Sequence, residues 1–224
     1  NRYLVNIRNL SVNVRQHLIL LLAVNNLPQD CFVDLCREVE NLLFLAMLTS
    51  NPNQKAFDGM ILKWAGELRK ITSREDFNQF IANQIIPSKQ LVADKFEKSF
   101  YKLNKSSFQL YQIKYILAKI TQYIDEIAWG AGGGIDDLRN YILKLELEQI
   151  LSENPTKEVI LDFDKPTEIV NYSQRLGNLT LLESPIKSAL INSNFTEKKL
   201  GYTKSRFLLT ELLLKKFMLG KIQL

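Results

Sequence analysis

Through its first half the chain is a series of segments whose apolar residues recur every three or four positions, the spacing of one helix face. "VRQHLILLLAVNNLP" closes at Pro28, and "QDCFVDLCREVENLLFLAMLTSN" stops at the turn "NPN". "KAFDGMILKWAGELRKI" puts Phe57, Ile61, Trp64 and Leu68 on one stripe. "TSREDFNQFIANQII" starts with Ser73 and Asp76 at capping-box spacing, where a side-chain oxygen can take up an orphan helix N–H. Pro87, which lacks an N–H, is expected to end it. "KQLVADKFEKSFY" and "FQLYQIKYILAKITQYI" complete the set, so residues 1–128 are expected to form a helical bundle whose stripes face its core.

"WGAGGGIDD" then interrupts the pattern. It lacks the Lys-Ser/Thr of a phosphate-binding loop and does not lie between a strand and a helix, so residues 129–140 are read as a connector. Beyond it the period shortens. "YILKLELEQIL" reads as a strand, with Ile142, Leu145 and Leu147 among its alternating apolar and polar positions, although its end is ambiguous with helix. A polar stretch leads to "LGNLTLLE", a second short strand reached through Gly177. "SPIKSALIN" follows, with Pro185 suited to a first helical turn, and "FTEKKLGYTKSRFLLTELLLKKFML" reads as one long terminal helix. The expected fold is mainly α: a bundle, then a small ββα core over residues 141–224 with a long C-terminal helix.

Composition adds little and charge adds more. The 224 residues are 46% hydrophobic and 24% charged, which is ordinary for a globular protein. The net charge is +5, but it is not evenly spread. Residues 184–224 hold eight Lys or Arg against two acids, 8 − 2 = +6, so the whole excess lies in the tail. Such a tail suits a polyanion or a solvated helix face. Cys31 and Cys36 sit on different helix faces, which is poor geometry for a bridge, and no Cys/His cluster suggests zinc. "LILLLAV" is too short to span a membrane, and no signal peptide is evident. A cytoplasmic location is expected, and the start at Asn1 rather than Met suggests a piece of a longer protein.

The run "LGNLTLLESPIKSALINSNFTEKKLGYTKS" resembles the C-terminal domain of GmrSD-type, modification-dependent restriction endonucleases, a His-Me finger (HNH-like) family. "GNLTLLE", "NSNFTEKK" and "YTKS" carry the likeness, and the helical segments before them resemble the region preceding that domain. The resemblance implies a DNA partner, an N-terminal ParB-like NTPase domain elsewhere in the full-length protein, and Mg²⁺ in active relatives. It also aligns "LEQILSENP" with a strand reading Glu-His-Ile-x-Pro. Glu148 then stands at the acidic metal ligand, Gln149 at the His and Ser152 at the Pro. Lys187 falls on the metal-binding helix Asn, with Asn192 and Asn194 nearby, and Asn178 is retained.

A His in this place would take a proton from water, and an acid and an Asn would hold the cation. Gln accepts no proton at neutral pH, and Lys has only donors. His17, the one histidine, is remote in sequence. No catalytic residue, resident cofactor or metal site is therefore assigned, and Glu148 is the residual metal candidate. Lys187 is expected to pair with Glu148 or to meet a DNA phosphate. The DNA-binding candidates are Lys187, Lys198, Lys199, Tyr202, Lys204 and Arg206. Three readings follow. One is a degenerate module that binds DNA without cleaving it. Another is an active endonuclease with other catalytic groups, such as Glu148 acting through a water. The third is a protein-interaction or regulatory module of a defence system.

Overall fold

The structure is a computed structural model, and it describes residues 1–10, 16–49, 54–100, 103–130, 138–161, 163–190, 193 and 195–212. The Gly-rich positions 131–137, Asn192, Asn194 and the tail from residue 213 lie outside these. The chain divides into two compact units, Asn1–Lys102 and Leu103–Leu224.

The first unit is helical: α1 (Arg2–Leu10), α2 (Gln16–Leu22), α3 (Gln29–Leu48), α4 (Gln54–Leu68), α5 (Arg74–Phe80) and α6 (Ile86–Phe100). α3 lies against α1, α2 and α6, and it buries Cys31, Leu35, Cys36, Val39 and Leu42. Both thiols are free, as their spacing suggests. The stripe Phe57, Ile61, Trp64 and Leu68 is buried on α4. Ser73 caps α5 as expected, its hydroxyl oxygen accepting from the Asp76 N–H at 3.1 Å. Pro87 does not end this helix. A π-helical turn, Ile81–Ile85, joins α5 to α6, and the Ile86 N–H reaches back five residues to the Ile81 carbonyl. The wider turn relieves the clash a proline ring makes with the carbonyl four residues before it.

The second unit begins with α7 (Leu110–Trp129), which the sequence pattern places in the bundle. In the structure α7 packs on α8 (Leu138–Lys144) and on the second strand, and it ends at Gly130 with φ 81°. α8 runs straight into β1 (Leu145–Gln149), so Ile142 is helical rather than part of the strand. After α9 (Lys157–Leu161) and α10 (Ile169–Gln174) comes β2 (Leu179–Glu183), antiparallel to β1 with Leu145 opposite Glu183 and Gln149 opposite Leu179. α11 (Ser184–Ala189) covers the two strands, and α12 (Phe195–Tyr202) lies on α11. Leu182, Leu190 and Tyr202 form the small core between them. The result is a mainly α chain with a two-stranded ββα core.

The terminal helix is broken. α12 ends at Tyr202, and helix resumes only at residue 208. The break is built by Glu183 at the end of β2. Its carboxylate accepts from the Ser205 hydroxyl (2.9 Å) and the Arg206 N–H (3.0 Å), while the Phe207 N–H donates to Ser205 Oγ. A carboxylate that captures a hydroxyl and a backbone N–H outside the helix offers that backbone an alternative to i→i−4 bonding. The resumed helix is tied down by Thr210, which bonds the Leu181 carbonyl at 2.9 Å.

Candidate functional site

In an antiparallel pair, alternate residues turn their backbone groups away from the partner strand. On β1 these are Leu145, Leu147 and Gln149, and a lysine ammonium meets the carbonyl of each. Lys114 of α7 donates to Leu145 O (2.9 Å), Lys187 of α11 to Leu147 O (2.8 Å), and Lys198 of α12 to Gln149 O (2.8 Å). The open edge of a two-stranded sheet is thus closed by three charged side chains rather than by a third strand, which blocks pairing with another chain.

The third of these lysines does more. Glu148 is buried, and its Oε1 accepts from Lys198 Nζ at 2.7 Å and from the Tyr202 hydroxyl at 3.1 Å. Lys198 and Tyr202 lie four residues apart, one helical turn, so α12 presents both to the same carboxylate. Burial, and then the neighbouring carboxylate, push the Tyr202 hydroxyl well above its ordinary value, which keeps it a donor. Lys199, the next residue, faces elsewhere: its ammonium lies 4.7 Å from the centre of the Phe195 ring.

At the end of β1 the backbone is clamped by Asn178. Its side-chain oxygen accepts from the Leu151 N–H (2.8 Å), and its amide donates to the carbonyls of Leu151 (2.8 Å) and Ser173 (2.9 Å). The Gln149 side chain turns outward and donates to Glu153 Oε1 at 3.0 Å. Lys105 (2.7 Å) and Gln174 (3.4 Å) meet the same oxygen. Lys105 first, and then Gln149, hold the Glu153 carboxyl below the usual range.

Compared with protein-family models, residues 90–222 match GmrSD restriction endonucleases, C-terminal domain. This chain belongs to that family. The match covers more than half of the chain and all of the strand–helix site. Searches of curated proteins and of solved structures found no match. The second unit is accordingly a nuclease-like module of the restriction and defence type.

The GmrSD motif residues now have physical roles. The Asn of "GNLTLL" holds the loop after β1. The Glu that closes "GNLTLLE" captures the Ser of "YTKS". The first Lys of "TEKK" and the Tyr of "YTKS" hold Glu148. The sequence picked out Glu148 but paired it with the wrong lysine. Lys187, a third exposed, caps Leu147 O and lies 3.9 Å from Glu146, and the partner of Glu148 is Lys198. α12 brings Lys198 to the end of β1, whereas α11 delivers Lys187 two residues earlier on the strand. Glu183, Ser205, Lys114 and Glu153 were missed. Glu183 and Ser205 lie in the motifs "GNLTLLE" and "YTKS", which are the signal that could have found them, whereas nothing in the sequence marks Lys114 or Glu153.

Of the six DNA-binding candidates, Tyr202 is buried and Lys198 nearly so, both facing inward. Lys204 and Arg206 are exposed, and Lys199 is half-buried. His17 is buried on α2, in the first unit. The Mg²⁺ that GmrSD relatives imply does not fit the residues present. Glu148 Oε1 already holds an ammonium, the Asn178 amide oxygen serves the backbone, and Lys187 brings only donors. Among the described residues no group of three or more His, Cys, Asp or Glu could hold a metal ion. None of those helices is long and apolar enough to cross a membrane.

Proposed function

We propose that this GmrSD C-terminal module binds duplex DNA through its phosphate backbone and does not cleave it. The observation that supports this most is the Gln at the position of the base, its side chain turned outward to Glu153. Hydrolysis of a phosphodiester needs a group that takes a proton from water and charge that stabilises the leaving oxygen. Gln149 supplies no base, and the Glu148 carboxylate is already neutralised by an ammonium. Loss of a positioned base alone lowers a rate by about 10²–10⁴-fold.

Binding draws on different residues. Lys204 and Arg206 are exposed in the turn after α12, with Lys199 one turn before, and the tail carries an excess of positive charge. Exposed cations attract phosphates regardless of base sequence and release counterions as they do so. The test is a titration of duplex DNA at increasing salt. Affinity is expected to fall steeply with salt and to be alike for unrelated sequences. Lys204→Ala and Arg206→Ala should each flatten the log–log slope by about one unit. Affinity that is absent at low salt, or unmoved by both substitutions, contradicts the proposal.

A further inference from the structure

We infer that Lys105, Gln149 and Gln174 form a seat for one phosphate oxygen of a DNA backbone, and that the Glu153 carboxylate fills this seat until DNA displaces it. The inference takes the source of the phosphate from the DNA-binding reading, but the seat itself stands on geometry. Three donors converge on Glu153 Oε1: Lys105 Nζ at 2.7 Å, Gln149 Nε2 at 3.0 Å and Gln174 Nε2 at 3.4 Å. They come from three separate elements, the 3₁₀ turn Lys105–Ser107, the last residue of β1 and the last residue of α10. A phosphodiester, like a carboxylate, spreads one negative charge over two oxygens. An ammonium joined by side-chain amides holds either through charge-assisted hydrogen bonds.

The backbones that carry the donors are anchored. Asn104 caps the turn of Lys105, and it also pairs in a β-bridge with Arg175, the residue after Gln174. Gln149 is paired with Leu179 of β2. Glu153 instead sits in the loop beyond Leu151, and its side chain is 40% exposed. An exposed ion pair of this kind contributes little to stability, so the carboxylate can leave without unfolding its surroundings. Its tether decides which anion enters. A carboxylate on the same chain has an effective concentration that a dilute free ion does not match. Duplex DNA held by the exposed cations of this unit also presents its phosphates at high local concentration, and it can compete. The seat therefore admits a polyanion and stays closed to free phosphate.

The experiment uses the full chain, with inorganic phosphate and a short DNA duplex as probes. NMR follows the side-chain amides of Gln149 and Gln174. In Glu153→Ala both signals should move with phosphate along one saturation curve, with an affinity about tenfold or more above that of the unaltered protein. Adding Lys105→Ala should reverse the gain. Duplex binding should tighten in Glu153→Ala far more than in Glu158→Ala, which removes the same charge from an exposed position outside the seat. Amides that ignore phosphate in Glu153→Ala would overturn the inference. So would an unaltered protein that takes phosphate equally well, or equal tightening of duplex binding by the two substitutions. Should the amides of Glu153→Ala follow phosphate while neither protein binds DNA, the seat stands and the DNA-binding reading falls.

Discussion

The Lys198 ammonium and the Glu148 carboxylate meet at 2.7 Å, with both side chains largely shielded from water. Breaking such a pair from one side leaves a buried charge, which costs about 3–5 kcal/mol, whereas replacing both partners with neutral groups of similar shape is close to neutral. Glu148→Gln and Lys198→Met are each expected to destabilise the chain in denaturant unfolding. The double variant should regain most of the loss. Losses that simply add would show that the two charges do not depend on each other.

Asn178 is a loop clamp rather than a reactive group. Two of its side-chain bonds hold Leu151 after β1, and a third, donated by its amide, ties it to the Ser173 carbonyl of α10. At about 1 kcal/mol per bond, Asn178→Ala should cost about 2–4 kcal/mol. Asn178→Asp should do no better, because its carboxylate faces the Leu151 and Ser173 carbonyls without a proton to donate. Urea unfolding of the two variants checks this, and full stability in Asn178→Asp would contradict the assignment.

Asp125 makes stability fall with pH. It is buried in the second unit, accepting from the Tyr141 hydroxyl (3.0 Å) and the Leu208 N–H (3.3 Å). Burial, the largest influence, raises its carboxyl above the ordinary 3.8. A raised folded value means the native state holds the proton more tightly than the unfolded chain. That contribution is fully present below the ordinary value and is lost as pH climbs through the raised one. Asp125→Asn should remove this decline. Parallel pH–stability curves for the two proteins would contradict it.

Gln149→His would place an imidazole beside Glu153, whose oxygen Gln149 now contacts at 3.0 Å. A neighbouring carboxylate favours the imidazolium, so the new histidine should titrate above about 6.5 by NMR. In Gln149→His with Glu153→Gln it should return towards that value. An unshifted imidazole in the single variant would show that the position 149 side chain turns away from Glu153.

The hydrophobic pattern disclosed the helices because their stripes are long and regular, as on α4, and it disclosed both strands because alternation is period-specific. It located Glu148 through the family motif. It misplaced the end of the α5 segment at Pro87, since a π-helical turn has no apolar signature of its own. It also ran the terminal helix through Thr203–Phe207, where helical spacing persists in sequence. There a distant carboxylate, Glu183, overrides the local preference. The partner of Glu148 was illegible for the same reason: which lysine reaches a carboxylate depends on where α11 and α12 lie, and that is a tertiary fact.

The most direct measurement incubates this chain with supercoiled plasmid in Mg²⁺ or Mn²⁺, at a salt concentration where band shifts show the DNA to be bound. The account predicts bound plasmid that stays supercoiled, with no nicked or linear product above a metal-free control. Nicking that needs the ion and disappears in Glu148→Ala would contradict it, because it would place a working metal ligand where the account places a carboxylate held by Lys198.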